Sequence, residues 1–176
     1  MKTITEVILV DSNDRPLGTM EKLEAHQKGF LHRAFSVFIR NNEGKMLLHK
    51  RAVSKYHSPG LWTNACCSHP FPGETTLSAA KRRLYEEMGF NCELQEVASF
   101  TYQTSFPNGL IEHEFDHILI GDYTGQVDPN PDEVCDYKWL FPSEIDLLLK
   151  ENKKDFTFWF LIAYPKVKDI LSNNEF

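Results

Sequence analysis

No stretch of this sequence stays apolar for long enough to span a bilayer, so no membrane anchor is expected. No long apolar run follows Met1-Lys-Thr-Ile-Thr-Glu6 either, and a signal peptide is not expected there. Cysteine is scarce. Cys66, Cys67, Cys92 and Cys135 are irregularly placed and do not form the pattern of a secreted disulfide framework, so a reducing cytoplasm is the expected compartment. Positive charge is short as well: the formal net charge of −6 argues against nucleic acid or an anionic membrane as a bulk partner. A small anionic ligand needs only a local basic cluster and is not excluded. With no internal repeat and no low-complexity linker, the 176 residues read as one domain, 1–176. It is large enough for a core without disulfide or metal staples.

What the sequence does have is concentrated between Gly60 and Phe90, read as a short buried strand, a Pro/Gly turn and a charged helix. Cys67 and His69 are two residues apart at the strand end, so the pleat turns them to one side. Pro70, Pro72 and Gly73 close the strand, Thr75 or Thr76 can cap the helix, and Gly89 can stop it. The helix carries Arg82, Arg83, Glu86 and Glu87. Blander readings stand beside the chemical one. A lone cysteine on an apolar strand is a small buried hydrophobe, and the i,i+4 pairs Arg82–Glu86 and Arg83–Glu87 suit a solvated helix face.

In chain order, Val7–Asp11 reads as a strand with a turn at Ser12-Asn-Asp14 and Pro16. Met20–Gln27 has helical character, ends at Gly29, and puts Lys22 and His26 on one face. Leu31-His32-Arg33 leads into the strand Ala34–Arg40, which a turn at Asn41–Gly44 joins to Met46–Lys50. The segment His49–Lys55 is basic in an acidic protein. Arg51 and Lys55 there can clamp phosphate oxygens or simply meet solvent. Leu94–Tyr102 is a further strand, and Pro107-Asn-Gly109 turns the chain into Ile111–Ile120. Alternation puts Glu112, Glu114 and Asp116 on one face of that strand, with Ile111, His113, Phe115 and His117 on the other. Like charges so close repel unless a cation or solvent intervenes, and solvent is the commoner answer. Tyr137–Phe141 is a late strand, Ser143–Asp146 begins a helix with a capping-box-like pattern, and Pro165 is expected to end or kink the aromatic helix Phe156–Tyr164. Trp159 in that helix lines a pocket or packs on the core. The overall pattern is a mixed α/β or α+β sandwich.

His26, His32, His69, Glu112 and Glu114 together offer nitrogen and carboxylate oxygen suited to Mn²⁺ or Zn²⁺, although their spacing matches no compact zinc motif. The segments Glu21-Lys22…His26, Leu31-His32-Arg33-Ala-Phe-Ser36, Arg51…Lys55, Pro59-Gly-Leu-Trp-Thr-Asn64, Cys67-Ser-His69-Pro70 and Glu112-His-Glu114 resemble type I isopentenyl-diphosphate isomerase. The resemblance runs from the first strand to Trp159. The helix region also resembles a degenerate Nudix box: Glu74, Arg82, Leu84, Glu86, Glu87, Gly89 and Phe90 fit, while Ser68 stands for its first Gly and Arg83 for a Glu. Replacing that Glu removes a metal-facing carboxylate and favours anion binding over hydrolysis.

The resemblance implies a Nudix-type mixed sheet between helices, with an N-terminal extension. It implies an enzyme interconverting isopentenyl diphosphate and dimethylallyl diphosphate by protonation and deprotonation through a carbocation, in isoprenoid biosynthesis. The implied roles are Glu114, with Tyr102, as the group delivering a proton and Cys67 as the one removing it. His26, His32, His69, Glu112 and Glu114 are implied ligands of a Mn²⁺ or Zn²⁺ ion, and Glu87 of a Mg²⁺ ion carried with the substrate. Lys22, Arg51, Lys55 and Arg83 resemble a diphosphate clamp, and Trp159 an aromatic wall beside the cation. Cys66 points away from Cys67 and is expected to be structural. The expected partner is a small prenyl diphosphate, and a monomer is the working expectation. The rivals are a Nudix-type diphosphate hydrolase and a non-catalytic metal-binding module with Cys67 and His69 as structural ligands.

Overall fold

One strand face that changes character halfway along its length positions the site. In the computed structural model, which describes residues 5–173, the elements run β1 (Glu6–Val10), β2 (Pro16–Glu21), α1 (Lys22–Lys28), β3 (His32–Arg40), β4 (Met46–Arg51), β5 (Trp62–Thr63), β6 (Cys66–Ser68), α2 (Thr76–Met88), β7 (Leu94–Ser105), β8 (Ile111–Asp122), β9 (Val134–Leu140), α3 (Pro142–Asn152) and α4 (Phe158–Ser172). Residues 1–4, part of the stretch read for a signal peptide, lie outside the described residues, as do residues 174–176 of the domain span. The strands form one mixed sheet. β3 and β8 pair in parallel, from His32 opposite Glu114 to Arg40 opposite Asp122, and the other pairings are antiparallel.

Helices cover both faces of this sheet. On one, Phe35, Val37, Ile39 and Leu119 pack with Ala79, Ala80, Leu84 and Met88 of α2. On the other, Phe38, Ile118 and Ile120 pack with Ile145 of α3 and Phe160, Ala163 and Tyr164 of α4. That second face is apolar only at one end. Two and four residues before Ile118, the same side of β8 carries Asp116 and Glu114, and β3 brings Ser36 and His32 alongside. These polar side chains are buried, so of the two answers to the repulsion among Glu112, Glu114 and Asp116, a cation or solvent, bulk solvent is not the one the fold provides. Among the described residues no helix is long and apolar enough to cross a membrane.

Local signals hold for α2. Thr75 caps it through a 3.1 Å bond from the Ser78 N–H to Thr75 Oγ1, and Gly89 ends it in the left-handed region at φ 76°. Elsewhere the expected boundaries move. Met20 lies in β2, a strand paired to β1, and α1 begins only at Lys22. The α3 cap is also displaced: the Glu144 carboxylate accepts the Phe141 N–H at 2.7 Å, while Asp146 instead takes Lys168 at 2.5 Å and Tyr164 at 3.0 Å. Pro165 does not end its helix, which continues to Ser172 under the apolar packing of Tyr164 and Val167.

Candidate active site

Four imidazoles converge at the polar end of this face. His26 comes from α1, His32 from the first residue of β3, His69 from just past β6, and His57 from the loop between β4 and β5. The His26 and His32 rings lie 4.8 Å apart, and His69 lies 5.0 Å from His32 and 5.7 Å from His26. Backbone carbonyls settle two tautomers. His26 Nδ1 donates to the Lys22 carbonyl at 2.6 Å and His32 Nδ1 to the Phe30 carbonyl at 2.8 Å. The Nε2 atoms of both therefore keep a bare lone pair, and both are buried without a partner.

Burial lowers the pKa of His26 and carries those of His69 and His57 down to about 3 and about 2, so these imidazoles are neutral and able to ligate. Ligand atoms of His26, His32, His69 and Glu114 all lie within 4.8 Å of one another, and so do those of His26, His57 and Glu112. Bare, buried lone pairs with carboxylates among them fit a divalent cation.

Glu112 and Glu114 share one hydroxyl. Tyr102 Oη lies 2.9 Å from Glu112 Oε2 and 2.7 Å from Glu114 Oε2. A phenol has a single proton to give, so two ionised carboxylates cannot both be satisfied by it. Burial and the Glu114 charge raise Glu112, which therefore holds a proton. Burial works against the charge of Glu114, but His69, donating to it at 2.9 Å, holds that carboxyl well below its ordinary range. A bound cation would lower Glu112 as well. Across the same cavity, burial pushes the Cys67 thiol up to about 12 against the opposing charge of Arg51. Cys67 is therefore a thiol at neutral pH, whereas Glu114 is ionised.

The cavity also receives Lys22, Arg51, Lys55 and Arg83. Arg51 is buried rather than lost to a solvated loop. Its guanidinium stands 5.3 Å over the Trp159 ring and donates to the His57 carbonyl at 3.3 Å. The Nε atoms of Arg51 and Arg83 are buried with no partner, as anion-binding donors in wait are. Trp159 is buried and lines the cavity from α4, so it packs and forms a wall at once. Arg83 bonds Glu87 at 2.5 Å, and burial raises Glu87 against that pull.

Every residue given a catalytic, substrate-binding or metal role from the sequence thus either lines this cavity or, as with His26, His32 and Tyr102, contacts a residue that does. Three others went unassigned. Glu133 joins Lys55 to Arg83, with an ion pair to the first and a 3.4 Å contact to the second. Asp116 is buried, accepts Ser36 Oγ at 2.8 Å and leaves its second oxygen unpartnered. His57 is the third. Strand alternation pointed to Asp116, but nothing local marked Glu133 or His57.

Comparison with known proteins adds to this geometry. Residues 30–160 match the NUDIX domain family. A protein from Serratia proteamaculans named isopentenyl-diphosphate Delta-isomerase is 50% identical over 167 residues, covering 95% of this chain and 92% of that protein. One of the same name from Pectobacterium atrosepticum is 50% identical over 166 residues, covering 94% and 93%. Among solved structures, DR0079 from Deinococcus radiodurans superposes with a TM-score of 0.69 at 19% identity, over 84% of this chain and 90% of that one, a likeness of fold.

Proposed function

This chain belongs to the isopentenyl-diphosphate Delta-isomerase family on the NUDIX fold, and we propose that its Cys67 and Glu114 exchange the two protons of that reaction. The enzyme interconverts isopentenyl diphosphate and dimethylallyl diphosphate, small prenyl diphosphates. An unactivated alkene is a very weak base, and protonating it yields a tertiary carbocation. The site must supply a positioned acid, a base and a cavity that keeps water away.

One observation carries the assignment: the Cys67 sulfur and the Glu114 carboxyl line the same cavity. Glu114, with Tyr102 beside it, gives a proton to the terminal carbon, and Cys67 takes the allylic proton. After that turnover Glu114 is ionised and Cys67 is a thiol, the state of the empty pocket. The cycle closes when the sulfur's proton passes to solvent and Glu114 regains one; the reverse reaction starts from the same state.

Lys22, Arg51, Lys55 and Arg83 hold the diphosphate in register, and the π-face of Trp159 borders the developing cation. A Mn²⁺ or Zn²⁺ ion held by His26, His32, His69, Glu112 and Glu114 would supply fixed positive charge between two carboxylates, and a Mg²⁺ ion held by Glu87 would neutralise the diphosphate. A diphosphate hydrolase is less well supported, because Arg83 stands where the Nudix box has a carboxylate and relatives that match nearly the whole chain are isomerases. The reading takes residues 1–176 as one domain, supported by a single sheet that bears the site. It takes the cytoplasm as the compartment, supported by four free cysteines, and a monomer as the working form, which light scattering would test.

A proton NMR time course in D₂O, with isopentenyl diphosphate, Mg²⁺ and trace Mn²⁺ or Zn²⁺, tests the chemistry. Deuterium is expected in a methyl group of dimethylallyl diphosphate. Product without deuterium would mean that the delivered proton never exchanges with solvent and would overturn the acid assigned here.

A further inference from the structure

We propose that His57 is a further ligand of the metal centre, reaching it from the loop between β4 and β5. The inference rests on the reading of the His/Glu cluster as a metal site and enlarges its donor set. His57 Nδ1 lies 3.3 Å from Glu112 Oε1, and the ligand atoms of His26, His57 and Glu112 all lie within 4.8 Å of one another. Donors about 2.1 Å from an ion stand at most about 4.2 Å apart, so this is close to the span of a bound cation.

Aromatic rings frame the imidazole, and Glu112 is the carboxylate its Nδ1 meets. Tyr56 stands against it edge-on at 4.6 Å, Phe106 stacks on it at 5.5 Å, and Trp159 meets it at 6.0 Å and 76°. Ser58, next in the chain, takes a left-handed φ of 47° that turns the loop inward. Within this aromatic frame His57 Nδ1 is buried without a hydrogen-bond partner, as is His26 Nε2. A buried lone pair left bare is costly, and in a structure that bonds His26, His32, His49 and His113 to backbone carbonyls it calls for a partner.

The two donor groups overlap in His26, and that overlap decides their relation. His26 Nδ1 is committed to the Lys22 carbonyl, so only Nε2 can ligate, and one nitrogen lone pair serves one ion. The two groups share that nitrogen, so a cation bound to it would draw on both. Four imidazoles and two carboxylates would then be available to it as protein donors. A fourth imidazole favours the later divalent ions over Mn²⁺ and Mg²⁺, which prefer oxygen. Because the same loop carries Lys55, metal occupancy would also fix a cation assigned to the diphosphate.

Metal-stripped wild type, His57→Gln and His69→Gln, each titrated with Co²⁺ and then challenged with Zn²⁺ against Mn²⁺, test this. Wild type is expected to bind one Co²⁺. His57→Gln should bind it about 10–100-fold more weakly, with an altered visible spectrum and a smaller preference for Zn²⁺ over Mn²⁺. An unchanged isotherm and spectrum in His57→Gln, with affinity lost in His69→Gln, would overturn the role of His57 and leave the centre standing. Affinity unchanged in both variants would remove the centre itself. X-ray absorption of Zn²⁺-loaded wild type needs no variant to fold: four imidazoles support the proposal and three refute it.

Discussion

Helix α2 carries two Arg–Glu pairs of identical spacing, one residue apart, and the molecule uses them for different ends. Arg82 faces outward, forks onto Glu74 with bonds of 2.7 and 2.8 Å, reaches Glu86 at 3.4 Å and lies 4.0 Å over the Phe71 ring. Arg83 lines the cavity, bonding Glu87 at 2.5 Å while its other nitrogen holds Glu86 at 2.7 Å. The Glu86 side chain is 42% exposed and that of Glu87 is 6% exposed. One residue is about 100° of rotation, enough to move a pair from a solvated face to the border of the stripe formed by Ala80, Leu84 and Met88. The neighbouring cysteines repeat the contrast on a strand, with Cys66 in the apolar core and Cys67 in the cavity. Identical local chemistry acquires a role only from the surface it meets.

Substitutions within these couples test whether the division is that sharp. Cys67→Ala should lower kcat by about 10²–10⁴-fold and leave the fold intact, whereas Cys66→Ala should keep turnover and lose about 1 kcal/mol of stability. Steady-state kinetics beside thermal melts separate the two, and equal activity losses would erase the contrast. With its thiol near 12, Cys67 should also show an alkylation rate that climbs about tenfold per pH unit, about a hundredfold between pH 8 and pH 10, where an ordinary thiol near 8.5 levels off. Peptide mapping after iodoacetamide labelling reads this, and a plateau at pH 9 would mean that burial does not hold the proton on sulfur.

For the arginines, Arg83→Ala should raise KM for isopentenyl diphosphate by about 10–100-fold, from the loss of a charge-assisted phosphate contact, while Arg82→Ala stays within about threefold. A fall in kcat at unchanged KM in the Arg83 variant would move that side chain from capture to the transition state. The smallest effect belongs to the outer pair. The hydrogen bond from Arg82 lowers the Glu74 pKa below its ordinary 4.5, so its stabilising contribution is present above that value and lost as pH falls through the lowered one. Glu74→Gln should therefore cost at most about 1 kcal/mol near neutral pH, and the difference in melting temperature from wild type should close as pH falls through the lowered Glu74 pKa. A gap that persists in acid would assign the effect to packing.

Legibility followed the range of the interactions. Thr75 and Gly89 act within one helical turn, so the bounds of α2 could be read from residues a few positions apart. β2 could not: Pro16–Glu21 is mostly exposed and shows no alternation, and its pairing to β1 is what makes it a strand. Pro165 was misread because its local cost is outweighed by the packing of Tyr164 and Val167. Asp146 was misread because Lys168, 22 residues onward, claims it. His57 and Glu133 carried no local mark, since their partners are brought by other strands.

The sequence by itself determined the inventory: a thiol two residues from an imidazole, carboxylates alternating on one strand face, a basic segment in an acidic chain, and a capped helix with cations and carboxylates in fixed phase. Caps and alternation are set by backbone periods of 3.6 and 2, which any reader of the chain can count. Only the tertiary structure decided that Glu112, Glu114 and Asp116 line a cavity and are buried, that Arg83 joins them there while Arg82 does not, and that His57 meets His26. Burial and convergence depend on which distant segments cover a face, and that choice is made by packing of the whole chain.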